Sequence, residues 1–250
     1  MAADPIHQFQ ITKLFTLGHI GGQEIAFTSS SAYMFLAVAV ISLLMIGGVA
    51  GRQLVPGRIQ SIAEISYEFV ASTIRSTAGS EGMKFFPLVF SLFMFICVSN
   101  VIGIIPYAFT VSSHLIVTAA LALLVFFIVL FYGLYKNGLK FFKLFVPSGV
   151  PIYILPLVVF IEVISFFLKP VSHSVRLFAN MLAGHIALKV FASFIGMLGA
   201  LGIVGWLGAV LPLGLTIALT ALELLVAFLQ AYVFAILTCI YLNDAIHPGH

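Results

Sequence analysis

Charged side chains are scarce in this sequence. Only eight of its 250 residues are Asp or Glu and eleven are Lys or Arg, so that 8% are charged, whereas 62% are hydrophobic. The mean hydropathy is +1.21. A soluble domain carries roughly 25% charged residues because its surface faces water. The scarcity of charge therefore excludes a soluble enzyme, a nucleic-acid-binding protein and a disordered chain, and it indicates an integral membrane protein.

Cysteines are few, and the common catalytic motifs are missing. Cys97 and Cys239 lie deep inside apolar runs, which favours packing roles over a disulfide or a metal site. The sequence contains no H-E-x-x-H, no G-x-S-x-G and no Walker-type glycine loop. His185 and Glu223 lack a clear third metal ligand, and the last apolar run has no histidine that could pair with His173 or His185 across a haem. We therefore expect no metal, no cofactor and no catalytic site in the chain.

Long apolar runs predict an all-α membrane protein with five crossings. Each run is about 20 residues or longer, as a helix crossing a hydrocarbon core of about 30 Å requires. The predicted spans cover residues 30–51, 85–106, 114–136, 150–198 and 208–243. Between the first two spans, residues 57–80 alternate apolar side chains with Glu64, Glu68 and Arg75 at helical spacing, which is typical of an amphipathic surface helix. The last two spans are long enough to require a strong tilt.

Pro170 leaves the topology of the fourth span open. A continuous helix of about 48 residues would be about 70 Å long. A hairpin at Lys169–Pro170 would instead add a sixth crossing, with Lys169 on the outer side. We favour the continuous helix because the sequence around Pro170 has no obvious turn residues.

Basic residues are distributed unevenly around the predicted spans. Those that follow spans one and three are Arg52, Arg58, Arg75, Lys84, Lys136, Lys140 and Lys143, whereas the opposite side has only Lys13. By the positive-inside rule, the amino-terminal segment 1–28 lies outside and the basic loops face the cytoplasm or matrix. The segment lacks the basic start and compact apolar core of a signal peptide, so we expect it to remain in the mature protein.

Arg176 is the most informative residue, because it lies in the middle of an apolar run. A guanidinium at the membrane centre costs from about 2.5 to more than about 10 kcal/mol, and such a residue is a functional candidate by default. Residues on or near the same helical stripe are Glu162, Ser165, Lys169, Ser172, His173, Asn180, Ala183 and Ala187. The sequence therefore predicts a polar stripe along the fourth span.

The fifth span has a polar face of its own. It is formed by Thr216, Thr220, Glu223, Ala227, Gln230 and Tyr241. We expect the two polar faces to meet. His185 is nine residues from Arg176 and so projects from the opposite face of its helix. Taken singly, each polar residue could also be a satisfied interhelical hydrogen-bonding residue, and Glu162 or Lys169 could reach the membrane interface.

The stretch from Lys169 to His185, K-P-V-S-H-S-V-R-L-F-A-N-M-L-A-G-H, closely resembles the signature of subunit a of the rotary F-type ATP synthase. The similarity extends to residues 52–68, 100–106, 156–162 and 222–242 and so covers most of the chain. The resemblance implies that Arg176 corresponds to the family's invariant arginine. The histidine at 185 and the carboxylate at 223 exchange the arrangement of many bacterial members and look like the mitochondrial and alphaproteobacterial versions.

The resemblance implies a stator subunit that is not catalytic alone and couples proton flow to ATP synthesis. In this interpretation two offset half-channels protonate and deprotonate the carboxylates of a rotating c-ring. The implied proton-translocating residues are Arg176 as separator, Glu223 and His185 toward the outer side, the amides Asn180 and Gln230, and Glu162, Ser165 and His173 toward the inner side. Proton coupling is favoured over sodium coupling.

The resemblance also implies partners and a location. The expected partners are the c-ring, the b-type subunits of the peripheral stalk, the rest of the ATP synthase complex and membrane lipids, with one copy of this chain per complex and no nucleic acid. The favoured location is a bacterial inner membrane, and the alternative is a mitochondrial inner membrane.

Two other classes of function stay open at this point. A secondary transporter would also carry ionisable residues at the membrane midplane, but internal repeats and broken helices are not evident in this sequence. A purely structural membrane subunit would not need Arg176.

Overall fold

The computed structural model describes residues 12–20, 23–50, 55–105, 108–146, 150–151 and 153–247. The described residues form a β-hairpin followed by helices. The elements are β1 (Lys13–Ile20), β2 (Gln23–Thr28), α1 (Ser29–Ala50), α2 (Arg58–Gly82), α3 (Phe86–Ile104), α4 (Leu115–Asn137), α5 (Leu155–Gly199) and α6 (Ile203–Ile246), with 3₁₀ turns at Met83–Phe85, Val111–Ser113 and Gly138–Phe145. Five helical stretches are long and apolar enough to cross a membrane. The predicted helical membrane fold is thereby confirmed.

The β-hairpin was not predicted from the sequence. Strands β1 and β2 pair antiparallel, with Phe15 opposite Phe27. The rings of Phe15 and Phe27 stack at 4.9 Å, and Phe27 stacks in turn on Phe35 of α1 at 5.9 Å. The Thr28 hydroxyl accepts a hydrogen bond from the backbone N–H of Ser31 at 3.4 Å. Thr28 therefore acts as the amino-terminal cap of α1.

Helix α2 covers the segment for which a surface helix was predicted. One side is buried, through Ala63, Val70, Ala71 and Ile74, and the other presents exposed residues such as Glu64 and Arg75. Near the end of the helix, Gly79 has a φ of 67°, a conformation that glycine adopts without the strain a side chain would add. The chain then turns into α3.

Helix α5 is continuous through Pro170. The predicted continuous helix is therefore confirmed, and the hairpin at Lys169–Pro170 is excluded. Its 45 residues correspond to about 68 Å at about 1.5 Å per residue, and the 44 residues of α6 to about 66 Å. Because the hydrocarbon core is only about 30 Å thick, helices of this length must tilt to remain in it. Proline has no N–H to donate, so Pro170 leaves the carbonyl of Phe166 without its helical hydrogen bond.

The chain divides into two compact units, which are described separately. The first unit consists of Met1–Ser42, Phe95–His114 and Leu177–Gln230, and the second of Leu43–Met94, Leu115–Arg176 and Ala231–His250. The first unit buries both apolar residues, such as Met181 and Ala227, and polar residues, such as Asn100 and Thr110. The largest buried side chain of the second unit, Phe141, is apolar.

Candidate functional site

A buried imidazole and a buried carboxylate face each other in the first unit. Nδ1 of His185, on α5, is in ion-pair contact with Oε1 of Glu223, on α6, and the two side chains are only 7% and 5% exposed. A buried carboxylate is costly unless it is protonated or paired. The two groups therefore stabilise each other whether the proton between them lies on the imidazole or on the carboxyl group.

Gly184 provides the space for the Glu223 carboxyl group. A Cβ atom at position 184 would lie 2.8 Å from Oε1 of Glu223 and 3.4 Å from its Cδ. Carbon and oxygen atoms that are not bonded do not approach so closely without displacement. The residue next to His185 must therefore be glycine for Glu223 to keep this position.

The other nitrogen of His185 also has a polar partner. Its Nε2 lies 2.5 Å from Oγ1 of Thr110, a buried residue between α3 and the 3₁₀ turn at Val111–Ser113. Imidazole in its neutral form has one donor and one acceptor nitrogen, and imidazolium has two donors. With a hydroxyl at one nitrogen and a carboxyl group at the other, His185 can bind and release a proton while both nitrogens keep partners.

Asn100 links three segments of the first unit. Its Nδ2 donates to the backbone carbonyl of Ala227 at 3.3 Å, and its Oδ1 accepts a hydrogen bond from the Ser112 hydroxyl. Ala227 lies one helical turn after Glu223 on α6. Asn100 thus fixes the part of α6 that carries the carboxylate, and it is itself completely buried.

Arg176 is exposed on α5, in the second unit. Among the residues that the structure describes, no carboxylate forms a salt bridge with its guanidinium. An exposed guanidinium that has no carboxylate partner among the described residues does not contribute to the packing of the interior.

Most residues of the predicted stripe on α5 are exposed, whereas Lys169 and Ala187 are half-buried and His173 is buried. Exposed positions are Glu162, Ser165, Ser172 and Arg176 in the second unit, and Asn180 and Ala183 in the first. His173 was predicted to lie on or near this stripe, and that prediction was wrong. It is buried, because its position one residue after Ser172 turns its ring toward Phe234, whose ring centre lies 4.1 Å away.

The surroundings of His173 are largely apolar. Neither of its ring nitrogens has a hydrogen bond of normal geometry among the described residues. It lines a cavity of about 20 Å³ together with Pro170, Phe166, Tyr241 and the pair Lys169–Asp244. That volume is sufficient for about one water molecule. Nζ of Lys169 lies 3.2 Å from Oδ2 of Asp244 and 4.8 Å from the centre of the Tyr241 ring.

The polar face of α6 is mostly directed inward. Glu223, Ala227 and Gln230 are buried, whereas Thr220 is exposed. We expected this face to meet the stripe that contains Arg176 and Asn180. In the first unit it does not, because Asn180 is exposed and Glu223 contacts His185 from the other side of α5. The prediction of two meeting polar stripes was therefore wrong there, whereas His185 does project from the face opposite the stripe.

Comparison with known proteins gives the family. A sequence model described as ATP synthase A chain matches residues 31–243. The chain belongs to this family. It is 90% identical to ATP synthase subunit a of Rhodopseudomonas palustris (strain BisB5) over the full length of both chains. It is 80% identical over 251 residues to subunit a of Bradyrhizobium diazoefficiens, with all of both chains covered, and 80% identical over 247 residues to that of Nitrobacter winogradskyi, with 99% of both covered.

Membership of the ATP synthase A chain family gives the chain its general function. It is a membrane-sector, proton-translocating component of ATP synthase rather than a catalytic subunit. The predicted resemblance is therefore confirmed. In the part of the chain that the structure describes, no group of three or more His, Cys, Asp or Glu residues could hold a metal ion.

Five residues make side-chain or backbone contacts near these sites that the sequence did not predict. They are Thr110, Asn100, Ser112, Gly184 and Asp244. Hydroxyl and amide residues in apolar helices are weak signals, because they often bond within their own helix. Asp244 was detectable, since it is a carboxylate within one turn of the end of a predicted span.

Proposed function

We propose that the chain is the stator proton channel of the membrane sector. It provides two offset aqueous half-channels that protonate and deprotonate the carboxylates of a rotating c-ring, so that proton flow drives ATP synthesis. The observation that carries the proposal is the exposed guanidinium of Arg176, for which the described residues provide no carboxylate partner.

The guanidinium of Arg176 has no carboxylate partner among the described residues. A central guanidinium costs from about 2.5 to more than about 10 kcal/mol in a membrane unless it is hydrated or paired. Because its side chain is exposed and the described residues provide no carboxylate for it, we infer that the compensating charge comes from a neighbouring molecule. A ring of subunits that each carry one membrane-embedded carboxylate supplies such a charge repeatedly, one subunit after another.

The outer half-channel is assigned to the pair His185–Glu223. Protons arriving from the outer side pass through this pair to a ring carboxylate, with Asn180 and Gln230 as neighbouring polar positions. The buried contact between Nδ1 and Oε1 supports the assignment, because a proton can move between the two groups without charging the interior further. Once neutral, the ring carboxylate can rotate through lipid at low cost.

The inner half-channel is assigned to the part of α5 before Arg176. Glu162 and Ser165 are exposed there, and His173 lines the small cavity beside Pro170. A ring carboxylate that reaches these residues after nearly a full turn releases its proton toward the inner side. The exposure of Glu162 supports its role as the acceptor, since its carboxylate is accessible to both water and a partner.

Arg176 separates the two paths. Its fixed positive charge stabilises the ionised form of an approaching ring carboxylate and so favours proton release. The same charge repels protons that would otherwise cross directly. One residue thereby prevents a leak and completes each transfer step.

The proposal includes the partners of the chain and its location, which membership of the family supports. One copy of the chain acts with the c-ring and the b-type subunits of the peripheral stalk. The alphaproteobacterial relatives favour the bacterial inner membrane over the mitochondrial one. The basic loops after spans one and three would face the cytoplasm.

The test is Arg176→Ala in the assembled complex, reconstituted in vesicles after assembly has been checked. We expect ATP-driven proton pumping to be abolished, with passive proton leak retained or increased. The matched control is Arg75→Ala, which removes an exposed arginine from the surface helix α2 and should leave pumping unchanged. Normal coupled pumping in Arg176→Ala would overturn the proposal and would favour a structural subunit.

A further inference from the structure

Thr110 occupies a central position in the first unit. It is only 2% exposed, and its Oγ1 lies 2.5 Å from Nε2 of His185 and 3.5 Å from the backbone carbonyl oxygen of Gly103. The hydroxyl therefore has two acceptors within reach. One is the imidazole nitrogen, which can itself become a donor, and the other is a carbonyl, which can only accept.

The threonine side chain is held in this position from two sides. A Cβ atom at Gly103 would lie 2.8 Å from Cγ2 of Thr110 and 3.1 Å from its Oγ1, so the side chain packs directly against the backbone of α3. The Ser113 hydroxyl donates to the backbone carbonyl of Thr110 at 2.7 Å. The position of the hydroxyl oxygen is thus fixed, and only its hydrogen is free to turn.

We propose that Thr110 is a positioning residue that keeps His185 hydrogen-bonded in each of its protonation states. When the ring is neutral with its hydrogen on Nδ1, the Thr110 hydroxyl donates to Nε2. When the ring is doubly protonated, or neutral with its hydrogen on Nε2 after giving the Nδ1 proton to Glu223, Nε2–H donates to Thr110 and the hydroxyl hydrogen turns to the carbonyl of Gly103. The ring can then exchange a proton with Glu223 through Nδ1 without leaving Nε2 unpartnered.

The Thr110 hydroxyl both lowers the free-energy cost of burying Nε2 of His185 and orients the His185 ring. An unpartnered Nε2–H in this buried site would carry a desolvation penalty, which is larger for the doubly protonated ring and would therefore oppose proton uptake by His185. The Thr110 hydroxyl removes this penalty by accepting from Nε2–H before and after transfer through Nδ1, and it can also donate to Nε2 in the other neutral tautomer. It also holds the ring with Nδ1 toward Oε1 of Glu223. The proposal rests on the role of the His185–Glu223 pair in proton transfer.

The test compares substitutions that keep or remove the hydroxyl. Thr110→Val preserves the shape and removes the hydroxyl, whereas Thr110→Ser retains it. The control is Thr238→Val, since Thr238 is completely buried and its hydroxyl bonds only to the Phe234 carbonyl of its own helix. Pumping by the assembled complex in vesicles should fall about tenfold in Thr110→Val, as for loss of one hydrogen bond to a charged group. Thr110→Ser and Thr238→Val should stay within about twofold of the unsubstituted protein, since neither loses that bond.

A second measurement reports the hydrogen bond itself. In the complex labelled with ¹⁵N-histidine, the His185 signals are identified by their loss in His185→Gln. The Nε2 signal should shift in Thr110→Val and should be unchanged in Thr238→Val. Thr110→Ala replaces the valine variant should that variant not assemble.

The outcomes separate this proposal from the function of the pair. Unchanged pumping and an unchanged Nε2 signal in Thr110→Val would overturn the role of Thr110. Equal losses in Thr110→Ser and Thr110→Val would also overturn it, since a variant that keeps the hydroxyl would then be impaired as much as one that lacks it. Normal pumping in both His185→Ala and Glu223→Gln would instead remove the proposed function of the pair, whatever the Nε2 signal showed.

Discussion

Two histidines of helix α5 have opposite surroundings. His185, in the first unit, has a carboxyl group at one ring nitrogen and a hydroxyl at the other. His173, in the second unit, is enclosed by the rings of Phe234 and Tyr241 and has no hydrogen bond of normal geometry among the described residues. Both lie in the stretch that resembles the family signature. We infer from this contrast that His185 exchanges protons directly whereas His173 only lines the inner path, because the partners of a buried histidine, rather than its place in a motif, determine whether it can pass a proton.

The largest expected difference comes from substituting each of these two histidines in a separate variant. His185→Ala should lower ATP-driven proton pumping by about a hundredfold or more, because a positioned proton-transfer group contributes about that factor. His173→Phe should lower it by less than about threefold, since an aromatic ring of similar size still packs against Phe234. Pumping assays on vesicles with equal amounts of assembled complex measure both. Similar losses in the two variants would break the comparison.

A smaller effect is expected from Gly184→Ala. The added Cβ would meet the Glu223 carboxyl group at 2.8 Å and displace it from His185. We expect pumping to fall about tenfold, which corresponds to about 1.4 kcal/mol and to the usual cost of overpacking. The control is Gly196→Ala on the same helix, where a Cβ would meet nothing within 4 Å. Equal pumping in the two alanine variants would show that the carboxyl group tolerates movement.

The Lys169–Asp244 pair near His173 should contribute less. Its side chains are 28% and 32% exposed, compared with 7% and 5% for His185 and Glu223. A double-mutant cycle with Lys169→Met and Asp244→Asn should give a coupling free energy of about 0.5–1 kcal/mol, typical of a solvent-accessible ion pair. Thermal unfolding of the purified complex provides the four values. A coupling above about 3 kcal/mol would show that this pair behaves as a buried one.

The smallest effect is expected from the ion pair between Lys13 and Glu24, whose side chains are more exposed than those of Lys169 and Asp244. The hydrogen bond from Lys13, with its positive charge, holds the pKa of Glu24 below the usual 4.5. A carboxyl group whose pKa is lowered by folding stabilises the hairpin at pH values above its unfolded pKa, and this contribution is lost as the pH falls through the folded pKa. The protection of the β1 and β2 amides against hydrogen exchange, relative to an unfolded chain at the same pH, should therefore decrease slightly as the pH falls below 4.5. Glu24→Gln should remove this pH dependence, and its persistence in that variant would assign it to another group.

Much of the helical framework was predictable because membrane helices leave a strong signal. Long apolar runs with few charges indicated the five spans, and the absence of turn residues near Pro170 indicated a continuous α5. The β-hairpin was missed although Gly21–Gly22 lies between two short runs that contain Phe15 and Phe27. That dipeptide is a hairpin signal, but in a short segment it is weak beside the apolar runs that follow.

The site was predictable only in part. The pairing of His185 with Glu223 followed from the resemblance, and the exposure of Arg176 agrees with its isolation in an apolar helix. The contacts of Thr110 and Asn100 could not be predicted, because they join residues far apart in sequence, such as Thr110 and His185. Helical periodicity placed His173 near the stripe of Arg176, but a difference of one residue is enough to turn a side chain from solvent into the interior.

The direct contact between His185 and Glu223 also limits how the membrane potential can act on the proposed proton transfer between them. A charge that crosses the whole membrane takes up about 2.3 kcal/mol per 100 mV. A proton that moves between the two side chains travels at most about one hydrogen-bond length, roughly 3 Å, within a hydrocarbon core of about 30 Å. The step therefore takes up about a tenth of the voltage, or about 0.2 kcal/mol per 100 mV. Its rate should be nearly independent of membrane potential, and the electrical work must be done elsewhere along the path.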